Sequence, residues 1–575
     1  MAGNIALGNF DYVAILIYIA LMAVIGFTFG WLVKDAGSYF KGGGTIPWVM
    51  ATITNYMGLF STFVFVAYAG IAYGYGLVSI AVFLSTVPGC VLAGLIFGAR
   101  WRRTGDTTPV EYLERRYGYS VRKLIMWLGL VMRFLDNMVR LYAIGIFIAA
   151  VTPISFGWAI VISGIIVTLF NIVGGIWTVT IMSTVQFIIL ILVTTILFPL
   201  SFDASGGFAA LAEKLPDHLD FFNGPKGEWL FLVVYCIMVT IKYNENWTFI
   251  QKFYCVRDEK AARKVGIYSG VLFLVFAPVF LVPAVLAPMI VPDIADPEKS
   301  YVMISSILLP SGVMGIMFSS MFAATMSSLN AEYNIMAGVI TTDIYQRMIN
   351  PNADGKRLLS VARIATAIVG VIMIMGAFVV GNFGGAFEAN KIFTGLLAIP
   401  VGIPLVFGII SRKPDKNSSI LSILVGVVVG LLINIMPSLA KIECLSWLPD
   451  VSWEGGTLIQ ILACLAVYYY PELNMNRKYS AGEIELFKKI ETPIPESEKP
   501  SISPEYIRSL VYLFVFSMVV AGLLFGGMSV PSLFMDDSAP LVKKGALYGV
   551  ISGALCIALA GAIFFFYARS AKRRK

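Results

Sequence analysis

The chain has 575 residues, of which 58% are hydrophobic and only 13% charged, and its apolar residues fall in repeated runs of about 20, each long enough to cross a ~30 Å hydrocarbon layer. That makes it a polytopic membrane protein with no sign of a large soluble catalytic module. The formal charge of +8 resides in loops at the ends of those runs, where membrane orientation accounts for it, so nucleic acid is not expected as a partner. The six cysteines (Cys90, Cys236, Cys255, Cys444, Cys464, Cys556) have neither disulfide-framework nor zinc-ligand spacing. A single histidine, His218, lies in a polar loop, which argues against a histidine metal centre or proton relay.

The first apolar run, Asp11 to Val33, lacks a basic leading segment and a small-residue cleavage site, and reads as a retained helix rather than a signal peptide. About fifteen spans are expected, at 11–33, 46–74, 77–99, 120–151, 153–176, 178–201, 228–250, 264–292, 302–346, 359–381, 386–410, 417–438, 453–472, 507–528 and 542–568. With the second span numbered core helix 1, helices 1 to 5 and 6 to 10 cross the membrane in opposite senses, because five is odd. That is the precondition for an inverted repeat with a binding site between its halves at mid-membrane.

Core helix 1, "IPWVMATITNYMGLFSTFVFVAYAGIAYGYG", holds Gly58 amid Thr54, Asn55 and Ser61. A break near Gly58 frees carbonyls, for instance those of Met57 and Phe60, which is tolerated at membrane depth only inside protein or beside a cavity. The loop after core helix 2 carries Arg100, Arg102, Arg103, Arg115, Arg116, Arg122 and Lys123. Three later basic loops, around Arg257, Arg347 and Arg412, are separated from it and from one another by even numbers of spans. All four share one side, and basic excess makes that side cytoplasmic. The N-terminus is then outside, and the basic tail "ARSAKRRK" is cytoplasmic.

Core helix 3 contains "MRFLDNMVRLY", with Arg133, Asp136 and Arg140 at i, i+3 and i+7. Ionisable groups this deep mark function unless they pair. The competing reading is a packing network in which Asp136 bridges both arginines and one positive charge is left over. In core helix 6, "IKYNENW" sets Lys242 and Glu245 one turn apart, spaced to pair.

Core helix 8 contains "MFAATMSSLNAEYN". Ala324, Ser327 and Ser328 stand at i, i+3 and i+4 on one face. Two hydroxyls and a freed carbonyl there offer the oxygens that a small hard cation such as sodium needs. The alternative is close helix packing, with each hydroxyl returning a hydrogen bond to the preceding turn. From Pro310 to Tyr345 this helix extends about 54 Å, so it projects into the cytoplasm, with Glu332 near the exit. In core helix 10, Lys391 either pairs with Glu388 one turn away or grips a carboxylate. Residues 473–506 read as a charged cytoplasmic linker with one short surface helix, not a folded domain.

The motifs "YFKGGGTIPWVM", "GGIWTVTIMSTVQ", "NENWTFIQKFYCVRDEKAARK", "AATMSSLNAEYNIMAGVITTDIY" and "GGAFEANKIFTG" together resemble the solute:sodium symporter family over roughly residues 11 to 440. The resemblance implies an all-α, leucine-transporter-like 5+5 inverted repeat with unwound helices 1 and 6. One extra helix precedes the repeat and about four follow it. The expected organisation is 1–45 (extra helix and loop), 46–201 (first repeat), 228–410 (second repeat), 411–472 (additional helices), 473–506 (linker) and 507–575 (C-terminal helices and basic tail).

The resemblance also implies a sodium site built from the backbone oxygens of Met57, Phe60 and Ala324 and the hydroxyls of Ser327 and Ser328. Where some relatives hold a second sodium, this chain has Asn330 and Ala331. Where the family often has Trp-Thr-Asp, it has Ile181, Met182 and Ser183, so a carboxylate is missing from the sodium exit route. Leu59, Val64 and Phe83 occupy positions that bind hydroxyls in sugar carriers, and Lys391 stands where helix 10 usually offers a glutamine. Sialic-acid carriers use an arginine on helix 3 at a position close to Asn137.

Candidate substrate-binding residues are therefore Ser61, Asn137, Tyr243, Asn246 and Lys391, with Arg133, Asp136 and Arg140 as an ion-pair network. The expected function is sodium-coupled symport, by alternating access across the cell membrane, of a sugar acid, a sugar or another carboxylate. The partners are then sodium, a small solute and the lipid bilayer, with a monomer as the functional unit and no enzymatic activity. A neutral-sugar or amino-acid symporter is the alternative, and a membrane-embedded transferase a more distant one.

Overall fold

A computed structural model describes residues 7–30, 42–439, 452–470, 479–500, 504–535 and 539–573, and every regular element among them is helical. The end of the first apolar run (31–33), the start of the YFKGGG motif (39–41), Cys444, linker stretches 473–478 and 501–503, and tail residues 574–575 lie outside the described residues. In chain order the first half comprises α1 (Asn9–Gly30), α2 (Trp48–Leu59), α3 (Val64–Tyr75), α4 (Val78–Thr104), the short α5 (Glu111–Tyr117), α6 (Tyr119–Val151), α7 (Phe156–Ile172) and α8 (Ile176–Ser205). Helical backbone is continuous from α7 into α8. The second half comprises α9 (Trp229–Glu245), α10 (Trp247–Cys255), α11 (Glu259–Ile290), α12 (Ser300–Leu308), α13 (Val313–Val339), α14 (Gly355–Ala377) and α15 (Ala386–Phe407). Then follow α16 (Lys416–Leu439), α17 (Trp453–Tyr469), α18 (Ala481–Glu491), α19 (Pro504–Phe534) and α20 (Pro540–Arg573).

Two of these helices are broken at corresponding places in the two halves. α2 and α3 meet at a 56° bend, and Phe60 at the joint is extended (φ −81°, ψ 119°). α9 and α10 are interrupted at Asn246, also extended, whose side chain caps α10 by accepting from the backbone N–H of Thr248 and Phe249. Core helices 1 and 6 thus each carry a break. Close backbone approach holds the rest together. A methyl on Gly266 of α11 would lie 2.3 Å from the Gly94 nitrogen of α4, and one on Gly553 of α20 would lie 2.5 Å from the Gly522 carbonyl of α19.

Two elements differ from the sequence expectation. The run at 302–346 is not one helix: it breaks at Leu309–Gly312, where Pro310 lacks an N–H and Gly312 has φ 88°. The buried start of α13 is then capped by Asp11 of α1, which accepts from the N–H of Gly312 and Gly315 at 2.7 Å each. α13 continues beyond Val339 in wider turns to Ile349. The linker helix α18 is not a free surface helix either. Its Glu483 is buried against the guanidinium of Arg116 at 2.6 Å, and Leu486, Phe487 and Ile490 are buried beside it.

The basic loops meet at one end of the bundle. There Arg103 pairs with Glu259 and donates to the Ile490 carbonyl, Arg115 pairs with Asp106, and Arg347 pairs with Glu114. The opposite end is closed by 216–219, by Glu298, and by a Lys226–Glu388 pair at 2.9 Å.

Candidate functional site

The break between α2 and α3 faces the small-residue side of α13. Thr62 donates its N–H to the Thr325 hydroxyl (2.8 Å) and its own hydroxyl to the Met321 carbonyl (2.9 Å). Val64 donates to Ser61 rather than to the Phe60 carbonyl, so the Phe60 oxygen is released from the helix ladder. Met57, Phe60, Ala324, Ser327 and Ser328 are all fully buried in this region.

The hydroxyl hydrogens here are committed. Ser328 donates back to the Thr325 carbonyl (3.0 Å), and Ser183 of α8 donates to the Val179 carbonyl (2.7 Å). With its proton engaged, Ser183 accepts from Ser327 at 2.6 Å. Each serine of α13 therefore keeps its lone pairs for another partner. Neutral oxygens with no competing hydrogen suit a hard monovalent cation. No group of three or more His, Cys, Asp or Glu side chains able to hold a metal occurs among the described residues.

On the other side of the break lies a small, partly open cavity of about 80 Å³. Ser61, Asp136, Arg140, Lys242, Asn390 and Thr394 form its polar wall, and Leu59, Phe63, Val64, Phe83 and Phe273 are among its apolar lining. Asp136 accepts from Lys242 (2.8 Å), Asn390 (2.7 Å) and Arg140 (3.0 Å), while Lys242 also donates to Thr394 (2.8 Å). Two cations thus share one carboxylate, and one positive charge is unbalanced within the wall. Arg140 reaches further: its other terminal nitrogen donates to the Gly58 carbonyl at 3.2 Å. The guanidinium spans from the cavity to the helix break.

Toward the end closed by Glu298, Tyr68 and Tyr235 hydrogen-bond at 3.0 Å beside Phe387. Toward the basic end, Tyr243 is buried, accepts from Asn55 at 2.6 Å and lies against Phe249.

The remaining candidates are placed elsewhere. Asn137 is buried and donates to the Arg133 carbonyl one turn back (2.7 Å), away from the cavity. Asn246 caps α10 and donates to Glu332 at 3.4 Å. Lys391 pairs with Glu388 at 2.5 Å and lies over the Trp453 ring, so the structural alternative for that residue is the one the geometry shows.

Two pairings differ from expectation. Asp136 pairs with Arg140 but not with Arg133, whose partner is Glu245 at 2.6 Å with Glu332 at 4.0 Å. Lys242 and Glu245 do not pair, because they project from α9 toward different neighbours, Asp136 of α6 and Arg133 a turn below. Glu332 is not at an open exit but fully buried. The cavity wall also contains Lys242, Asn390 and Thr394, which the sequence expectation leaves out. Lys242 had a signal, a lysine inside an apolar run, but the nearby glutamate explained it away.

A sequence profile described as "Sodium:solute symporter family" matches residues 39–426. A sodium/glucose cotransporter of Vibrio parahaemolyticus is 22% identical over 74% of this chain and 85% of its own length. The sodium/sialic acid symporter NanT of Aliivibrio fischeri is 21% identical over 73% of this chain and 86% of its own. A solved structure of a substrate-bound, outward-open sodium-coupled sialic acid symporter superposes with a TM-score of 0.71 at 17% identity, covering 82% of this chain and 99% of that one. At that identity the likeness is one of fold.

Proposed function

The chain belongs to the sodium:solute symporter family, and from that premise we propose that it imports a small solute bearing a carboxylate, together with one sodium ion, by alternating access. That it is a sodium-coupled membrane transporter follows from the family; the solute, the site residues and the stoichiometry are our reading. The observation that carries the solute class is the pair Lys242 and Arg140 around the single carboxylate of Asp136 in the cavity wall. Asp136 already accepts three hydrogen bonds, so an incoming anion competes for the cations rather than for an empty acceptor. The apolar Leu59, Val64 and Phe83 offer a neutral sugar few partners. Relatives named for glucose and for sialic acid are equally similar, so similarity does not choose between these solutes.

Sodium is held by the carbonyls of Met57, Phe60 and Ala324 and the hydroxyls of Ser327 and Ser328. Arg140 links that site to the solute through the Gly58 carbonyl, so that filling one stiffens the other. The basic end of the bundle is cytoplasmic, the N-terminus is outside, and the monomer is the functional unit. A thermal-shift screen of purified protein in sodium against potassium, over sugar acids, other carboxylates, neutral sugars and amino acids, tests the reading. A carboxylate that raises the melting temperature only in sodium supports it, and a neutral sugar doing so in place of every carboxylate overturns the solute class.

A further inference from the structure

A second, larger concavity lies at the basic end of the bundle, and none of its lining residues belongs to the transport site. It has a volume of about 580 Å³, within the range of sites that hold a small organic molecule. Its floor is apolar: Trp48 and Ile53 of α2, Val511 and Phe514 of α19, and Ile563 of α20. Its rim is basic: Arg257, Lys260 and Lys264, at and just inside the start of α11, all exposed, against one acid, Asp258. The Asp258 carboxylate is engaged in capping α11 through the Ala261 N–H at 2.8 Å. Lys264 lies 5.0 Å above the Trp48 ring, and Arg257 makes a long 3.6 Å contact to Glu496, itself held by Lys499 at 2.6 Å. Among the described residues, Lys260 and Lys264 have no carboxylate partner, so two positive charges stand over an apolar trough.

We infer that this trough is a binding site for one anionic phospholipid of the adjoining leaflet, with its phosphate among Lys260, Lys264 and Arg257 and an acyl chain along Trp48, Val511 and Phe514. Charge complementarity selects the occupant. A zwitterionic headgroup brings an ammonium into the same cluster of cations, whereas a phosphatidylglycerol headgroup brings only its negative charge. A soluble phosphate leaves the apolar floor facing water, and the floor is built from membrane-spanning helices whose neighbouring surface, Val49 and Phe516, is exposed and apolar. The trough joins α2, the half-helix that leads to Met57 and Phe60, to α11 and the C-terminal pair α19 and α20. A lipid there ties the inner end of the broken helix to its surroundings. The inference does not depend on which solute is carried.

Native mass spectrometry of the full chain in detergent, titrated with palmitoyl-oleoyl phosphatidylglycerol or the corresponding phosphatidylcholine, reads the site directly. The expected result is one retained phosphatidylglycerol with about tenfold preference over phosphatidylcholine, a preference that falls as salt is raised. Lys260→Ala with Lys264→Ala removes the preference. Val511→Trp, which fills the trough without touching charge, removes retention of the lipid while the melting temperature in phosphatidylcholine stays unchanged. Equal retention of both lipids by the unmodified protein, or displacement of phosphatidylglycerol by inorganic phosphate alone, overturns the inference. Salt dependence needs no substitution, so the test stands even if a variant misfolds.

Discussion

Lys242 illustrates how a single side chain sets the character of the cavity. Its ammonium is held by Asp136 and Thr394, and with Arg140 it outweighs the one acid of that wall. Replacing it by glutamine (Lys242→Gln) keeps hydrogen bonding to Asp136 but cancels the excess charge. We expect solute affinity to fall tenfold or more, since a charge-assisted bond becomes a neutral one, about 1.4 kcal/mol or greater, with sodium binding retained. Isothermal titration with the carboxylate identified by thermal shift measures it; unchanged affinity removes Lys242 from the solute site. The sequence shows why such residues are only half legible. Spacing along a helix exposes local partners, and Lys242 and Glu245 look like a pair, yet each is neutralised by α6, a neighbour that no local spacing can announce. The α13 serines were readable because their shared face is a property of one helix. The role of Ser183, whose proton is committed to Val179 and which thereby orients Ser327, depends on a third helix.

Among the elements, the closure opposite the basic end has a titratable latch. Glu298, on the short turn Pro297–Lys299 outside the membrane-spanning helices, packs beside Gly70 of α3 and accepts from the Ala386 N–H at the start of α15. Burial, followed by the nearby Asp296 carboxylate, pushes its pKa up to about 7. The folded protein therefore binds this proton more tightly than the unfolded chain does. Its contribution is most favourable below the ordinary carboxylate range and is lost as pH rises through about 7. Melting temperature should decline more steeply from pH 5 to 8 in the native protein than in Glu298→Gln; parallel curves would show that the latch does not titrate there.

At the other end, Glu483→Gln weakens the pair that docks α18 on Arg116, although Arg116 keeps the Gly408, Ser411 and Pro414 carbonyls. A cost of about 2 kcal/mol is expected, with faster proteolysis near α18 and no change in a protease-resistant core. A cleavage pattern identical to the parent's would mean that α18 is held by its apolar face alone. Neither the docking of α18 nor the capping of α13 by Asp11 was visible in the sequence, because both join segments hundreds of residues apart. The break in core helix 1 was visible, since Gly58 and its polar neighbours inside an apolar run mark it, whereas the break in core helix 6 followed only from the family resemblance.

For the molecule as a whole, charge decides how the coupling ion's energy reaches the solute. One sodium crossing 100 mV releases about 2.3 kcal/mol, and a tenfold gradient adds about 1.4 kcal/mol. A neutral solute draws on both and accumulates several hundredfold. A monoanion travelling with one sodium moves no net charge, so only the chemical gradient acts and accumulation is about tenfold. Transport currents on a solid-supported membrane should accordingly be near zero for the carboxylate solute; a robust inward current would mean a second sodium or a neutral solute. Coupling itself is reciprocal: the factor by which sodium tightens solute is the factor by which solute tightens sodium. The most direct measurement is therefore the solute dissociation constant by calorimetry, with and without saturating sodium, in the native protein and in Ser327→Ala. We predict at least tenfold tightening by sodium in the native protein and none in Ser327→Ala. Equal tightening in both would contradict a cation site between the broken helix and the α13 serines.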